Sequence, residues 1–310
     1  MQNGILPLWK EKGMTSHDCV FKLRKILKMK RIGHTGTLDP SVEGVLPICL
    51  GESAKVAEYL TNAGKVYEAE VTIGSSTTTE DADGEVIETN HSTKHFSRED
   101  ILNALTAMTG QIEQTPPMYS AVKVNGKKLY EYARAGIEVE RPTRNVTIYE
   151  LTLLSDDSTF SGELVTFRIR VSCSKGTYIR TLAVQIGEVL GYPAHMSKLV
   201  RTASGTFTAE NCMTLQQVQD LVDNDKLMDH LYDLDYALQE MPKMEVPESL
   251  IKAIQNGQVL DSMALLDQHE RIVITMDNRA IAVYIKHPTK KGKMKPEKMF
   301  NRQMMEGEAQ

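Results

Sequence analysis

Cysteine is scarce in this sequence, and the few cysteines lie far apart. Of 310 residues, four are cysteines, at Cys19, Cys49, Cys173 and Cys212. No two of them form a CxxC pair, which argues against a disulfide framework and a structural zinc site. We therefore expect free thiols that behave as small hydrophobic side chains, in a protein of the reducing cytoplasm.

Long apolar runs are lacking as well. No stretch approaches the ~20 residues of a membrane-spanning helix. The first residues, MQNGILPLWKEKG, have no basic region followed by an apolar core, so we expect neither a secretion signal nor a membrane location. With 41% hydrophobic and 25% charged residues, the composition is that of an ordinary globular protein.

Sequence motifs for common cofactors are absent. Gly126-Lys127 lacks the upstream glycine of a Walker loop, and the chain contains no GxGxxG. His91 and His95 are four residues apart, but they lie in a polar Ser/Thr segment without an acidic residue at a ligand spacing. We expect no metal and no cofactor.

The charge that is present is strongly polarised. The net charge is −5, yet the segments 17–31 and 286–302 are both rich in lysine and arginine. One such run would be typical of a solvated helix face. Two basic runs near opposite ends of an acidic chain make RNA or DNA binding an equal alternative.

Hydrophobic periodicity predicts alternating helices and strands along the chain. The predicted helices are 17–31 (capped by Ser16), 52–60, a helix from Ser97 through Met108, 127–135, 177–191 and 248–256. The predicted strands are 44–51, 65–74, the antiparallel pair 145–154 and 164–173, and four short strands at 258–266, 270–276, 279–286 and 297–301. Segments 33–40 and 74–84 are predicted to be loops, and 210–240 a solvated helical face.

These elements predict an α+β fold with a mixed, mainly antiparallel sheet flanked by helices. Pro242 and Pro247 mark a junction, after which the pattern changes to short strands. We therefore expect a larger domain over 1–240 with a basic, tyrosine-rich insertion at about 114–144, and a small β-rich domain over 241–310.

The segment GHTGTLDP (33–40) is the most unusual local sequence. Its glycines allow close approach of a ligand, and Pro40 holds Asp39 in an extended conformation. A carboxylate on such a loop beside a basic helix suits a nucleophile or general base. The alternative is that Asp39 only caps a turn, and that His34 only bonds to turn backbone.

Two further segments carry candidate ligand-binding side chains. Tyr67 lies on the apolar face of a predicted strand, where it is either a core aromatic or a ring on which a base stacks. CSKGTYIRT (173–181) places Lys175, Tyr178 and Arg180 where a strand turns into a helix, a position that favours anions. Arg180 is either a surface arginine, a phosphate ligand or a partner for Asp39.

Taken together, four segments resemble one family. GHTGTLDPSVEGVLPICLGESAK (33–55), KVYEAEVTIG (65–74), QTPPMYSAVKVNGKKLYEYARAG (114–136) and CSKGTYIRTLAVQIGEVLGYPAHMSKLVRT (173–202) resemble bacterial TruB-type tRNA pseudouridine synthases, in the family's order. NGQVL (256–260) and KMKPEKMF (293–300) resemble the ends of that family's PUA-like RNA-binding module. The resemblance implies the pseudouridine synthase fold over nearly the whole chain.

The resemblance also implies roles for individual residues. Asp39 matches the family's catalytic aspartate, Tyr67 the tyrosine stacked on the target uracil, and Arg180 the arginine paired with that aspartate. Tyr67 is in addition a candidate base for the proton that leaves C5.

The same resemblance implies a set of substrate-binding residues. Tyr178 matches a pocket residue, Leu199 the leucine that closes the pocket, and His34 the histidine that helps to extrude the base. Lys10 belongs to an N-terminal motif usually written KPxGxTS, in which Glu11 here replaces the proline. Independently of the resemblance, Lys175 is a further candidate substrate-binding residue because of its anion-favouring position.

The implied activity is isomerisation of uridine to pseudouridine at position 55 in the T loop of tRNA. The reaction is redox-neutral and needs no external group. The expected partner is the tRNA T arm, bound by a monomer that requires no protein partner. The alternatives are an RNA-binding or tRNA-folding chaperone, an isomerase of ribosomal or guided RNA, and a small-molecule hydrolase with an aspartate nucleophile.

Overall fold

The computed structural model describes residues 3–300. Its α-helices are α1 (Ser16–Ile26), α2 (Ala57–Asn62), α3 (Arg98–Ala107), α4 (Leu129–Arg134), α5 (Ile179–Leu190), α6 (Leu215–Asp223), α7 (Glu248–Gln255) and α8 (Leu265–Gln268). Short 3₁₀ helices span Gly51–Val56, Ala209–Asn211, Leu227–His230 and Leu234–Leu238.

The β-strands follow in chain order. They are β1 (Gly4–Lys10), β2 (Ile32–His34), β3 (Glu43–Leu50), β4 (Lys65–Ile73), β5 (Ser75–Thr77), β6 (Val86–Thr89), β7 (Lys94–Ser97), β8 (Gly110–Gln114), β9 (Lys123–Val124), β10 (Lys127–Lys128), β11 (Arg144–Leu153), β12 (Thr159–Gly162), β13 (Val165–Cys173), β14 (Ala194–Ser204), β15 (Phe207–Thr208), β16 (Lys243–Glu245), β17 (Leu260–Asp261), β18 (Arg271–Met276), β19 (Arg279–Lys286) and β20 (Lys293–Met299).

A nine-stranded sheet forms the body of the molecule. Its order is β1-β3-β14-β4-β13-β11-β8, with β2 paired to β3 and β15 to β14. Every pairing is antiparallel except that of β14 with β3, which is parallel. Helices α3 and α5 cover the half around β4 and β13, and α1 and α6 cover the half around β1 and β3. The predicted α+β fold with a mixed, mainly antiparallel sheet is confirmed.

The parallel contact between β3 and β14 depends on a glycine. Gly44 faces Arg201 across this contact and has φ +133°, in the range that favours glycine. A Cβ at Gly44 would lie 2.2 Å from the Arg201 carbonyl oxygen. The close approach brings β14 against the loop that precedes β3.

A second sheet occupies the C-terminal part of the described chain, in the order β16-β18-β19-β20-β17. Val273, Val283 and Phe300 from this part join Ile5 and Val45 of the main sheet in one buried cluster. The C-terminal sheet therefore shares a hydrophobic core with the body of the molecule.

A polar contact reinforces this packing. The Arg271 guanidinium donates to both carboxylate oxygens of Glu297 at 2.9–3.2 Å, and the Tyr59 hydroxyl donates to Glu297 Oε2 at 2.9 Å. Tyr59 belongs to α2, and Glu297 to β20. The carboxylate thus joins the two parts of the chain.

The prediction that Ser16 caps a helix over 17–31 is wrong at both ends. The N-cap is Thr15, whose side chain accepts from the Asp18 backbone while the Asp18 carboxylate accepts from the Thr15 backbone, a capping box. The helix ends at Ile26, and Lys28 has a left-handed φ of +49° that a continuing helix cannot contain.

Other predicted boundaries need smaller corrections. Segment 33–40 is not wholly a loop, since Gly33 and His34 belong to β2, and segment 74–84 includes β5. Segment 52–60 is a 3₁₀ helix followed by α2, and 258–266 holds β17 and the start of α8 rather than one strand. Residue 301 of the last predicted strand and Arg302 of the second basic run lie outside the described residues.

The periodic predictions for the central elements hold. Ala69, Val71 and Ile73 of β4 lie in one buried cluster with Ile179 and Ile186 of α5. The Asn125-Gly126 turn joins β9 and β10, with φ +50° and +83° at the two residues. All four cysteines are free thiols, as expected. Among residues 3–300, no helix is both long and apolar enough to cross a membrane.

Candidate active site

The loop between β2 and β3 carries Asp39 and is tied down on both sides. Thr35 is fully buried, and its hydroxyl donates to the Pro47 carbonyl at 3.0 Å. The Ser16 hydroxyl of α1 accepts from the Leu38 backbone at 2.9 Å. These contacts fix the backbone on which the Asp39 side chain projects.

Lys10 supports the same loop through hydrogen bonds to backbone carbonyls. Its ammonium group donates to the carbonyls of Met14 (2.6 Å), Glu11 (3.0 Å) and Pro40 (3.4 Å), the residue after Asp39. Lys10 is 0% exposed. In this conformation the buried ammonium group positions the loop, and the role of Lys10 in substrate binding stays a prediction. The neighbouring Glu11, in place of the family's proline, supplies one of the three carbonyls.

Arg180, the second residue of α5, lies in contact with Asp39. Its Nη2 is 3.2 Å from Asp39 Oδ2, and it also donates to the Tyr119 carbonyl at 3.0 Å. Only 6% of Arg180 is exposed. Just before it, the Tyr178 backbone is held by both side-chain amide atoms of Gln114, at 2.9 and 3.2 Å. The start of α5 is thus anchored to β8, and Arg180 is oriented by it.

A second carboxylate, which the sequence analysis missed, approaches Arg180. Asp81 Oδ2 lies 3.4 Å from Arg180 Nη1, and that nitrogen donates to the Thr79 carbonyl at 3.0 Å. The other oxygen, Asp81 Oδ1, accepts from the Thr79 hydroxyl at 2.5 Å and the Asp83 backbone at 3.1 Å. The only signal in the sequence is a pair of acidic residues in a polar turn, which is common on protein surfaces.

The ionisation of Asp39 is set by competing effects. Burial raises the pKa of the Asp39 carboxyl above its ordinary value, and the Asp81 charge raises it further. The Arg180 guanidinium acts in the opposite direction and only partly offsets the burial. The Asp39 side chain retains 41% of its exposure, against 11% for Asp81. Of the two carboxylates, Asp39 is the one that a ligand can reach.

Asp39 opens into a cleft with a volume of about 860 Å³, within the usual size of a ligand site. Tyr67, Tyr178, Leu199 and Lys175 all line it together with Arg180. The structure thus brings six of the eight predicted site residues to one cavity. Lys175 is exposed there, with its Nζ 2.9 Å from Asn62 Oδ1.

Tyr67 forms one wall of the cleft and lies beside a buried arginine. It pairs across the sheet with Arg201, which is 1% exposed and donates to the Val45 carbonyl at 2.7 Å. Burial raises the pKa of the Tyr67 phenol, whereas the Arg201 charge lowers it. The net direction is upward, so the phenol is protonated at neutral pH. Arg201, whose role the sequence analysis also missed, carries no sequence signal beyond its charge.

His34 does not line the cleft. It lies in β2, where its ring contacts His17 edge to face with centroids 5.4 Å apart. Burial lowers the pKa of His34, as do the neighbouring His17 and Arg201 charges. His34 is therefore a neutral side chain at the end of β2, directly before the Asp39 loop.

The first basic run forms an exposed surface next to this loop. Lys22, Arg24, Lys25 and Lys28 of α1 and the following turn are all exposed, while Leu23 between them is buried. The alternation puts the basic side chains on one side of the helix. Such a surface matches the charge of a phosphate backbone.

Family models match most of the chain. The model of the TruB family pseudouridylate synthase (N terminal domain) matches residues 24–179. The model of the tRNA pseudouridylate synthase B C-terminal domain matches residues 180–239. The boundary between the two falls at Arg180.

Curated relatives match over nearly the full length. A tRNA pseudouridine synthase B from Bacillus thuringiensis (strain Al Hakam) is 55% identical over 297 residues, which are 96% of this chain and 97% of the relative. The proteins of the same name from Geobacillus thermodenitrificans and Listeria innocua are also 55% identical, over 96% and 97% of this chain and 99% of each relative.

Solved structures share the fold. A Cbf5-Nop10-Gar1 complex contains a chain with a TM-score of 0.71 and 28% identity, over 96% of this chain and 85% of that one. An H/ACA RNP bound to a substrate RNA containing 2'-deoxyuridine gives a TM-score of 0.69 and 25% identity, over the same shares. With two family models covering residues 24–239 and relatives at 55% identity, the chain belongs to the TruB family of pseudouridylate synthases.

Proposed function

We propose that this protein converts uridine to pseudouridine at position 55 in the T loop of tRNA. The observation that carries the proposal is the ion pair of Asp39 with Arg180 at the base of the cleft. The relatives at 55% identity are tRNA pseudouridine synthases by name, which supports tRNA as the substrate.

The reaction breaks the bond from N1 of the base to C1′ of the ribose, rotates the base and joins C5 to C1′. Asp39 is the proposed nucleophile because it is the carboxylate with access to the cleft. Arg180 holds it in place and favours its ionised form. Tyr67 and Leu199 form apolar walls that keep out the water that would hydrolyse an intermediate.

The new bond leaves a proton on C5 that must depart to restore the base. Tyr67 is the proposed acceptor. Burial raises the pKa of the Tyr67 phenol, so the accepting form is its minor phenolate fraction, which the adjacent Arg201 charge favours. The phenolate takes the C5 proton and becomes the neutral phenol, while the electron pair of the C5–H bond restores the conjugation of the uracil ring.

The target base is stacked in a folded RNA and has to be flipped into the cleft, at a cost of a few kcal/mol. Phosphate contacts offset this cost. We assign them to the basic side of α1 and to Lys175 at the cleft. His34 beside the Asp39 loop is the proposed wedge for extrusion, and Tyr178 a wall of the pocket.

The proposal also divides the chain into a catalytic and an RNA-binding domain. Residues 1–240 would form the catalytic domain, with the 114–144 insertion contacting the T arm. Residues 241–310 would form a PUA-like RNA-binding domain. We further propose a cytoplasmic monomer that acts without a protein partner, although the related Cbf5 chain was solved in a complex with Nop10 and Gar1.

The alternatives fit the structure less well. A pure RNA chaperone needs no buried Arg180 aimed at a half-exposed carboxylate. A guided-RNA enzyme would match the solved H/ACA RNP, but identity to it is 25%, against 55% to the tRNA enzymes. A small-molecule hydrolase leaves the basic surface of α1 without a role.

The test is turnover on an unmodified tRNA transcript labelled with [5-³H]uridine. Loss of the C5 proton releases tritium, and carbodiimide mapping locates the product. We expect one pseudouridine, in the T loop. Asp39→Asn should lower the rate by more than about a thousandfold, as loss of a nucleophile does, while RNA binding persists.

The matched control is Asp156→Asn, an exposed aspartate in the loop between β11 and β12. It should turn over at the wild-type rate. Tight binding without any tritium release from tRNA would overturn the proposal, as would full activity of Asp39→Asn.

A further inference from the structure

Glu80 has an unusual backbone conformation. Its φ is +64°, in the left-handed region that a residue other than glycine adopts at a cost of about 1 kcal/mol. Glu80 lies between Thr79 and Asp81, the two residues that contact Arg180 Nη1. The turn that supplies both contacts is therefore centred on a strained residue.

The Glu80 side chain returns to the helix that carries Arg180. Glu80 Oε2 accepts a hydrogen bond of 2.6 Å from the hydroxyl of Thr181, the residue after Arg180. Thr181 is 8% exposed, and burial raises the pKa of the Glu80 carboxyl although the Thr181 hydrogen bond opposes this. The contact is thus made inside the protein.

The Glu80 backbone is fixed on its other side. Its carbonyl accepts from the Met196 backbone at 3.0 Å, and the Ala82 backbone donates to the Met196 carbonyl at 3.1 Å. These bonds attach the turn to β14. Glu80 therefore connects three elements at one point: the Asp81 turn, β14 and the start of α5.

The geometry points to Glu80 as a positioning residue that, through Thr181, holds the Asp81 turn against α5 and so sets the orientation of Arg180 toward Asp39. Glu80 faces a second cavity, of about 670 Å³, whose lining also includes Glu88 and Arg141, rather than the cleft that holds Asp39. It acts through Arg180 and not on the substrate. The inference rests on the proposed role of the Asp39–Arg180 pair.

The test compares four single variants on the tRNA transcript under single-turnover conditions. Glu80→Gly removes the carboxylate and relieves the backbone strain, and Thr181→Val removes the hydroxyl. Each should lower the rate constant by about tenfold, as expected for a lost bond to a charged group, with an unchanged Kd for tRNA. Glu80→Gln and Thr181→Ser keep the hydrogen bond and should restore most of the rate.

The double variant Glu80→Gly with Thr181→Val should be no slower than either single variant, because each substitution removes the same hydrogen bond between Thr181 and Glu80. Glu88→Gln, on the wall of the same cavity, is the control and should leave the rate unchanged. A full rate in Glu80→Gly, additive losses in the double variant, or a loss confined to tRNA affinity would overturn the inference.

A second readout does not depend on turnover. ¹⁵N NMR of the arginine side chains, with Arg180→Lys to assign the signal, reports how firmly the guanidinium is held. Glu80→Gly and Thr181→Val should broaden or shift the Arg180 signal, and Glu80→Gln should preserve it. An unchanged signal overturns the inference. Failure of the proposed function would instead appear as a wild-type protein without activity and with the Arg180 signal intact.

Discussion

Asp81 contacts Arg180 from the side opposite Asp39: its Oδ2 lies 3.4 Å from Nη1, while Nη2 lies 3.2 Å from Asp39 Oδ2. One guanidinium thus holds two carboxylates that are 42 positions apart in the chain. The planar fork of arginine can bind both at once, which a lysine ammonium on a flexible stem does less well. The ionisation of Asp39 therefore depends on a residue outside its own loop.

This coupling predicts opposite pH shifts in two variants. Asp81→Asn removes a negative charge that raises the pKa of Asp39. Asp39 then ionises at lower pH, and the acid limb of the rate–pH profile shifts to lower pH. Arg180→Gln removes the positive charge that lowers the pKa of Asp39, so the acid limb shifts to higher pH. Single-turnover rates measured from about pH 4 to about pH 8 cover the range in which such a carboxyl titrates, and they report the shift of the acid limb in each variant.

The plateau rate should fall in both variants, because each also disturbs the geometry around Asp39. Asp156→Asn should leave both the limb and the plateau in place. Shifts of the two limbs in the same direction would show that the charges of Asp81 and Arg180 do not set the ionisation of Asp39.

Tyr67 variants separate stacking from proton transfer. Tyr67→Phe keeps the ring and removes the phenol oxygen, so we expect tRNA binding to persist while turnover falls by about 10²-fold or more, as for loss of a general base. Tyr67→Leu removes the ring and should weaken binding as well. Tritium release and filter binding give the two quantities. Full turnover of Tyr67→Phe would eliminate the phenol as the base.

Lys10→Met tests the support of the Asp39 loop. It removes the donor to the Glu11, Met14 and Pro40 carbonyls, and we expect the free energy of unfolding to fall by about 1 kcal/mol. Turnover should fall with it, because Pro40 directly follows Asp39. Urea unfolding measures the first effect. Lys12→Met, an exposed lysine two residues away, is the control and should change neither quantity.

Glu297→Gln tests the contact between the C-terminal sheet and α2. Although burial opposes it, hydrogen bonds from Arg271 and Tyr59 lower the pKa of Glu297. Its stabilisation is therefore full above the ordinary pKa of glutamate and is lost as the pH falls below it. We expect the variant to lose about 1–2 kcal/mol at pH 7 and less at low pH.

The matched control is Glu270→Gln, because Glu270 also contacts Arg271 but is 90% exposed on its side chain. It should cost little at any pH. Equal losses in Glu270→Gln and Glu297→Gln would contradict the connecting role of Glu297.

The parts of the fold that follow a simple period could be predicted from the sequence. The alternation in β4 and the apolar stripe of α5 each specify which side is buried, and the structure agrees. The start of α1 was harder to predict, because Thr15 and Ser16 are equally good N-cap residues. Only the reciprocal hydrogen bonds between Thr15 and Asp18 show that Thr15 is the N-cap. Boundaries depend on such single contacts, not on periodicity.

The same distinction between local sequence patterns and single tertiary contacts applies to the candidate site. Asp39 stood out through its unusual loop, and the family resemblance supplied its partner Arg180. The contact of Asp81 with Arg180 and the support that Lys10 gives to the Asp39 loop were missed, because both are tertiary contacts. Asp81 meets Arg180 across 99 positions of sequence, and Lys10 is a lysine whose full burial no local pattern indicates.

The shared core beneath the C-terminal sheet has a consequence for how a large substrate is selected. With Val273 and Phe300 packed against Ile5, and Glu297 bound to Tyr59, the basic strand β20 stands at a set distance from Asp39. On the proposal that the C-terminal sheet binds RNA, this fixed arrangement would select a substrate by its shape, because the RNA backbone has to reach β20 while its loop enters the cleft.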